Sequence, residues 1–192
     1  MDLTQDNYNY QNSTYTSGFI FDFWSCGSAQ KDEYKIKFPG AYPAGFLKRW
    51  RAAFESTFLE SNNTILHVCA GRVPFSEGLT QDIKPDYSPD YKCNAEEIHI
   101  TYPELSNKFQ WTIADPPYNQ AASKKYYDMP LLNKHKMLKS MAAVTKPGGY
   151  IGILDQNALI GKPANLKKIA HIAVTSIPNT DARLFTVYRK LS

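Results

Sequence analysis

From residue 64 onward the chain repeats one pattern: a short apolar run, too brief for a buried helix, stopped by Gly, Pro or an acidic residue. The clearest case is Phe109-Gln110-Trp111-Thr112-Ile113-Ala114, cut off by Pro116 and Pro117. Runs of this length, rich in β-branched and aromatic residues, read as strands buried in a parallel sheet. Six more follow the rule, at 64–69, 78–83, 90–95, 150–154, 169–177 and 184–188. Two helical stretches interleave with them. Residues 44–59 carry Phe46, Trp50, Phe54 and Phe58 at four-residue spacing, one apolar stripe of core type. Residues 131–145 end at Lys146-Pro147-Gly148-Gly149, which cannot continue a helix. Strands alternating with helices predict an open α/β sheet with its ligand at the carboxyl ends of the strands.

The 192 residues suit one large domain, and 10 Phe, 3 Trp and 13 Tyr are enough to fill its core. Residues 1–34, rich in Asn, Tyr, Ser and Thr, read as an N-terminal tail with one aromatic knot at 19–24, a plug or a short strand; residues 35–192 read as the folded domain. No run approaches the ~20 apolar residues of a membrane span. The start, Met1-Asp2-Leu3-Thr4-Gln5-Asp6, lacks the basic opening of a signal peptide, and three cysteines make no disulfide framework. The expectation is a cytoplasmic protein. His67, Cys69, Cys93 and His99 lack metal-ligand spacing, so no metal is expected. Phosphate-loop and nucleophile-elbow motifs are absent, which excludes the kinase and hydrolase readings that rest on them.

Charge is unevenly distributed. Residues 1–123 hold 10 Lys and Arg against 15 Asp and Glu, a net −5, whereas residues 124–192 hold 12 against 3, a net +9. Such an excess suits either a polyanionic partner or an ordinary lysine-coated face.

Asp115-Pro116-Pro117-Tyr118 directly follows the strand at 109–114. The prolines stiffen the backbone and remove its N–H groups, so the segment offers carbonyl acceptors and one carboxylate. Two fixed acceptors suit an –NH2 group. Accepting both hydrogens pulls the amine towards tetrahedral geometry and frees a lone pair otherwise conjugated into a ring. Tyr118 offers a face on which such a ring can stack.

Asp-Pro-Pro-Tyr resembles the catalytic motif of the amino-methyltransferases, which transfer a methyl group from S-adenosylmethionine to adenine N6 or cytosine N4. The resemblance spans residues ~35–190 and implies a Rossmann-like class I methyltransferase fold: seven strands, mostly parallel, in the order 3-2-1-4-5-7-6, with helices on both faces. It implies catalytic roles for Asp115, Pro116, Pro117 and Tyr118. It implies cofactor contacts from Phe38, Pro39 and Gly40, from His67, Cys69, Ala70 and Gly71 after the first strand, from Asp82 after the second, from Asn94 and Ala95 after the third, and from Asp115. The chain departs from the family in the first-strand loop, where His67 replaces the acid and Val73 the last glycine.

Two basic stretches could hold a nucleic acid: Lys124, Lys125, Tyr126 and Tyr127 just past the motif, and Asn157, Lys162, Lys167 and Lys168 after the fifth strand. Adenine N6 in DNA is the leading target, and a base in a duplex would have to be flipped out. Only about 30 residues separate Tyr118 from the fifth strand, which leaves no room there for a recognition domain. Either specificity is low, or a partner protein supplies it, or the substrate is not duplex DNA. The competing readings are an RNA or protein (glutamine-type) N-methyltransferase and a non-catalytic subunit that keeps the fold.

Overall fold

A computed structural model of the chain describes residues 8, 14–16, 18–27, 42–59, 61–159, 161–175 and 182–192. Its strands are β1 (Thr14–Thr16), β2 (Phe19–Ser25), β3 (Ile65–Val68), β4 (Leu79–Asp82), β5 (Tyr91–Lys92), β6 (Phe109–Ala114), β7 (Thr145–Asp155), β8 (Leu166–Thr175) and β9 (Arg183–Lys190). The helices are α1 (Phe46–Ala53), α2 (Ile98–Thr101), α3 (Gln120–Tyr127) and α4 (Lys134–Val144).

One sheet runs β1-β2-β8-β9-β7-β6-β3-β4-β5. Its seven strands from β3 onward are the expected seven, in the order 3-2-1-4-5-7-6. The last, β9, is antiparallel to both β7 and β8. The fold is thus the Rossmann-like class I methyltransferase arrangement. The sheet carries more than that fold requires. The knot at 19–24 is strand β2, parallel to β8, with β1 folded back on it. Residues 14–16, expected within the tail, and the knot, for which a short strand was one expectation, therefore extend the same sheet, and Ile20 and Trp24 lie in its core.

Two apolar clusters sandwich the sheet. Ile65, Trp111, Ile113 and Phe185 face α1, whereas Leu66, Val68, Tyr188 and Ile151 face α2 and α4. The α1 stripe packs as expected: Phe46, Trp50 and Phe54 are fully buried, and Trp50 and Phe54 meet Trp111 at centroid distances of 5.2 Å. The helix is shorter than its pattern, ending at Ala53 rather than 59. Thr57 ends it. Its hydroxyl accepts the Trp111 indole N–H at 2.9 Å and its carbonyl accepts the Gln110 amide at 2.9 Å, which draws the backbone onto β6.

His67, which the resemblance sets among the cofactor contacts, has its side chain in this core and does not line the cavity at the carboxyl ends of the strands. The ring is fully buried, with Nδ1 3.3 Å from the Tyr42 hydroxyl and Nε2 3.4 Å from the Glu77 carbonyl. Burial pushes its pKa down to about 4. The expected contacts Phe38, Pro39 and Gly40 lie outside the described residues.

Two outcomes follow from this packing. A Cβ at Gly152 would stand 2.6 Å from the ring of fully buried Phe185, so Gly152→Ala should destabilise by roughly 1–3 kcal/mol, read from the urea midpoint. His67 titrates at about 6.5 when unfolded and near 4 when folded, so the unfolded state binds more protons between those values. Stability is lost as pH falls through that window. The stability difference between wild type and His67→Gln should therefore shrink by on the order of 3 kcal/mol from pH 6.5 to 4. A pH-independent difference would contradict the buried neutral ring.

Candidate active site

The carboxyl ends of β3, β4, β5, β6 and β7 form one rim. At the end of β3, Cys69 (φ 54°) and Gly71 (φ 55°) both adopt left-handed backbone, turning the chain sharply. The turn brings the Gly71 N–H onto Asp82 at 2.9 Å, while the Ala70 N–H reaches the Gln81 carbonyl at 3.0 Å. The Asp82 carboxylate also accepts the Lys84 N–H at 2.9 Å. These two bonds fix its orientation and leave acceptor capacity on both oxygens. Burial raises the pKa of Asp82, and the N–H bonds of Lys84 and Gly71 oppose that rise. Gln81 ties the rim together, accepting the Cys69 N–H at 3.3 Å and donating to the Cys93 carbonyl at 2.6 Å.

Beside these groups opens a cavity of about 250 Å³, lined by Cys69, Gln81, Asp82, Ile83, Asn94 and Ala95 on the sheet side. Pro117, Ser123, Tyr127 and residues 129–132 line it from above. The roof is α3 and the loop after it. Asn119 starts this helix by accepting the Ala122 N–H at 2.9 Å, and Ser123 pins the loop through the Pro130 carbonyl at 2.9 Å. A missed signal was Asn119 itself, a capping residue just past the prolines. Glu96 also lines the cavity, its carboxylate accepting the Asn133 N–H at 2.7 Å; mostly apolar walls with two held carboxylates suit a flat ring carrying hydroxyl donors. Of the expected cofactor contacts, Cys69, Asp82, Asn94 and Ala95 line this cavity, and Ala70 and Gly71 shape the turn beside it.

The motif stands at the end of β6, where Ala114 pairs with Val68 of β3, so Asp115 and the Cys69–Gly71 turn leave adjacent strands. Asp115 Oδ1 accepts the Tyr118 hydroxyl at 2.5 Å, and Oδ2 lies 3.6 Å from Arg183 Nη1. The Arg183 guanidinium also covers the Tyr118 ring, 4.8 Å from its centroid. Burial pushes the Asp115 pKa up to about 6, against the pull of Arg183 and the Tyr118 hydroxyl. Burial, with Asp115 alongside, raises the Tyr118 phenol as well. A second ion pair stands beside the first. Lys134 Nζ lies 2.5 Å from Asp155 Oδ2, and it also donates to the Tyr118 carbonyl at 3.2 Å. Neither Arg183 nor Lys134 carries a signal in the sequence, because the spacing of a cation from a motif says nothing of where a later strand or helix begins.

The residues expected to hold nucleic acid do not form one surface. Tyr127 lines the cavity, with the Lys84 ammonium 5.5 Å from its ring centroid. The Tyr126 side chain lies outside the described part of α3. Lys124, ion-paired with Asp128, and Lys125 are exposed on α3, and Asn157 and Lys162 are exposed beyond β7. Lys167 and Lys168 sit at the wrong end of the sheet. In β8, Lys167 pairs with Arg189 and Val174 with Arg183, so Lys167 lies seven residues, ~23 Å, below the rim. The physical reason is the long β8 strand, which carries adjacent sequence away from the site. The remaining positive charge is similarly dispersed: Lys190 is buried at that lower end, on the Asn107 side chain and the Thr145 carbonyl, both at 2.7 Å.

No family model matches the chain, and no curated protein matches it. Among solved structures it is similar to TrmN from Thermus thermophilus (14% identity, TM-score 0.48), over 66% of this chain and 43% of that one. The chain thus spans less than half the length of TrmN. It is similar also to the antibiotic-resistance methyltransferase Kmr (12% identity, TM-score 0.43), over 74% of this chain and 93% of that one. A third likeness is to a SAM-dependent methyltransferase from Aquifex aeolicus (14% identity, TM-score 0.44), over 71% and 87% of the two chains. At these scores the likeness adds nothing to the site, whose reading rests on its own residues.

Proposed function

We propose that the protein is an S-adenosylmethionine-dependent N-methyltransferase acting on an exocyclic amino group of a nucleobase in a nucleic-acid strand, with adenine N6 in DNA the first substrate to test. The observation that carries this reading is the juxtaposition on neighbouring strand ends of a nucleoside-sized cavity holding Asp82 and Asn94 with the acceptor segment Asp115–Tyr118. The residues present fit the cofactor. Asp82 offers acceptor capacity for ribose hydroxyls; Ala95, Ile83 and Leu132 offer apolar walls for a purine. When bound, S-adenosylmethionine supplies an electrophilic methyl group on its sulfonium.

The chain's own residues prepare the nucleophile. The Asp115 carboxylate accepts one hydrogen of the target amine and a proline-locked carbonyl of the motif accepts the other, which concentrates the nitrogen lone pair away from the ring. Lys134 holds the Tyr118 carbonyl, so the segment does not have to reorganise as charge develops. The proton released after transfer is lost from a cationic amine and needs no strong base.

Asp115→Ala should lower the rate of labelled methyl transfer to mixed DNA and RNA pools by roughly two orders of magnitude or more, with the effect in kcat. Tyr118→Ala should mainly raise KM, because a stacking face is removed. Neither should unfold the protein: Asp115 is held at about pKa 6 by burial, so its carboxylate costs the fold stability at neutral pH. Wild-type transfer should decline below about pH 6 as Asp115 takes up a proton. Label on adenine N6 or cytosine N4 that survives Asp115→Ala would refute the assignment, and label on protein alone would refute the nucleobase.

A further inference from the structure

Both oxygens of Asp115 are engaged in this structure, yet the proposed reaction needs one of them for the target amine. Oδ1 carries the Tyr118 hydroxyl at 2.5 Å. Oδ2 faces Arg183 at 3.6 Å, an ion-pair distance too long for a good hydrogen bond. The pair is arranged as a cover: the Asp115 side chain is 8% exposed and that of Arg183 26%, so the cation stands on the solvent side. A neutral amine that displaced the guanidinium would leave a buried carboxylate without its counter-charge, and the cation without a partner. Among the described residues the neighbouring carboxylate, Asp155, is already held by Lys134 at 2.5 Å. An incoming group that brings its own anion gives the guanidinium a new partner. Guanidinium matches phosphate in a two-point fork, and the Arg183 backbone is anchored in β9 opposite Val174, so only the side chain has to swing.

We infer that Arg183 is an exchangeable counter-ion of Asp115: a phosphodiester of the bound strand draws the guanidinium away, and this uncovers Asp115 for the target amine. The inference rests on the proposed nucleobase reading and deepens it, making Arg183 the residue that selects nucleotides in a strand over neutral nucleosides and side-chain amides. Arg183 acts through Asp115 and through the phosphate, as a positioning and specificity residue.

The test is binding, measured by fluorescence anisotropy on the full chain. The probes are a labelled adenine-containing single-stranded oligodeoxynucleotide and the same sequence on a neutral methylphosphonate backbone. Arg183→Met should weaken binding of the phosphodiester strand at least tenfold and leave the neutral strand unchanged or bound more tightly; Arg183→Lys should restore part of the difference. Lys167→Met, at the far end of β8, should alter neither by more than about twofold. Asp115→Asn removes the competing carboxylate, so it should tighten phosphodiester binding several-fold while abolishing methyl transfer. This outcome does not depend on how well Arg183→Met folds. Equal weakening of both strands by Arg183→Met, no loss for either, or unchanged or weaker phosphodiester binding by Asp115→Asn would each overturn the inference. Absence of wild-type binding to the phosphodiester strand would overturn it too. If binding behaves as expected but labelled methyl never transfers, the proposed reaction falls and the Arg183 exchange stands.

Discussion

Everything at the site depends on how β3 is flanked. It pairs with β4 on one side and β6 on the other, all three parallel, so the chain leaves β3 towards β4 and leaves β6 towards β7, in opposite directions. A crevice at their carboxyl ends is the geometric result. Its two walls are chemically different: the β3–β4 wall presents Gln81 and Asp82, whereas the β6–β7 wall presents Asp115, Asp155 and proline-stiffened carbonyls. The wide aromatic core under α1 keeps this arrangement in register, with Trp111 packed against Trp50, Phe54 and Tyr150 directly beneath Asp115 in the chain.

The crevice concentrates groups that the rest of the fold would avoid. Burial raises the pKa of both Asp82 and Asp115, a pattern that costs stability and is typical of sites organised for binding or catalysis. The compensation is local: backbone N–H groups for Asp82, and a loosely paired guanidinium with a phenol for Asp115. His67 shows the contrary case. It is also buried and perturbed, but its partners are Tyr42 and the Glu77 carbonyl within the core, and it does not line the cavity.

Much of the sheet was legible because each strand announces itself locally. Phe109–Ala114 is apolar throughout and ends at prolines, and the stripe Phe46, Trp50, Phe54 needs only a 3.6-residue period. The strand order came from the Asp-Pro-Pro-Tyr resemblance and from no local pattern. The knot at 19–24 was ambiguous because its alternation, Ile20, Asp22 and Trp24 inward with Phe21 and Phe23 outward, reads as a sheet strand only once β1 and β8 are beside it. At the site, Asp82, Asn94 and Ala95 came from the same resemblance, and the structure sets them on the cavity wall at or just past strand ends. Arg183 and Lys134 were not legible: the contact of Arg183 with Asp115 spans 68 residues and is made by a strand running the other way. Charge clustered in sequence is dispersed in space for the same reason, since β8 begins with Lys167 and Lys168 at the end of the sheet opposite the site.

The central claim is that the crevice beside Asp82 takes the adenosyl cofactor. It is tested most directly by calorimetric titration of the full chain with S-adenosylmethionine, alongside Asp82→Ala. The account predicts saturable one-site binding, weakened at least tenfold by Asp82→Ala, which loses the ribose acceptor and the anchor of the Gly71 turn. No binding heat at high cofactor concentration, with no change in melting temperature, would contradict it and leave a methyltransferase fold that does not use the cofactor.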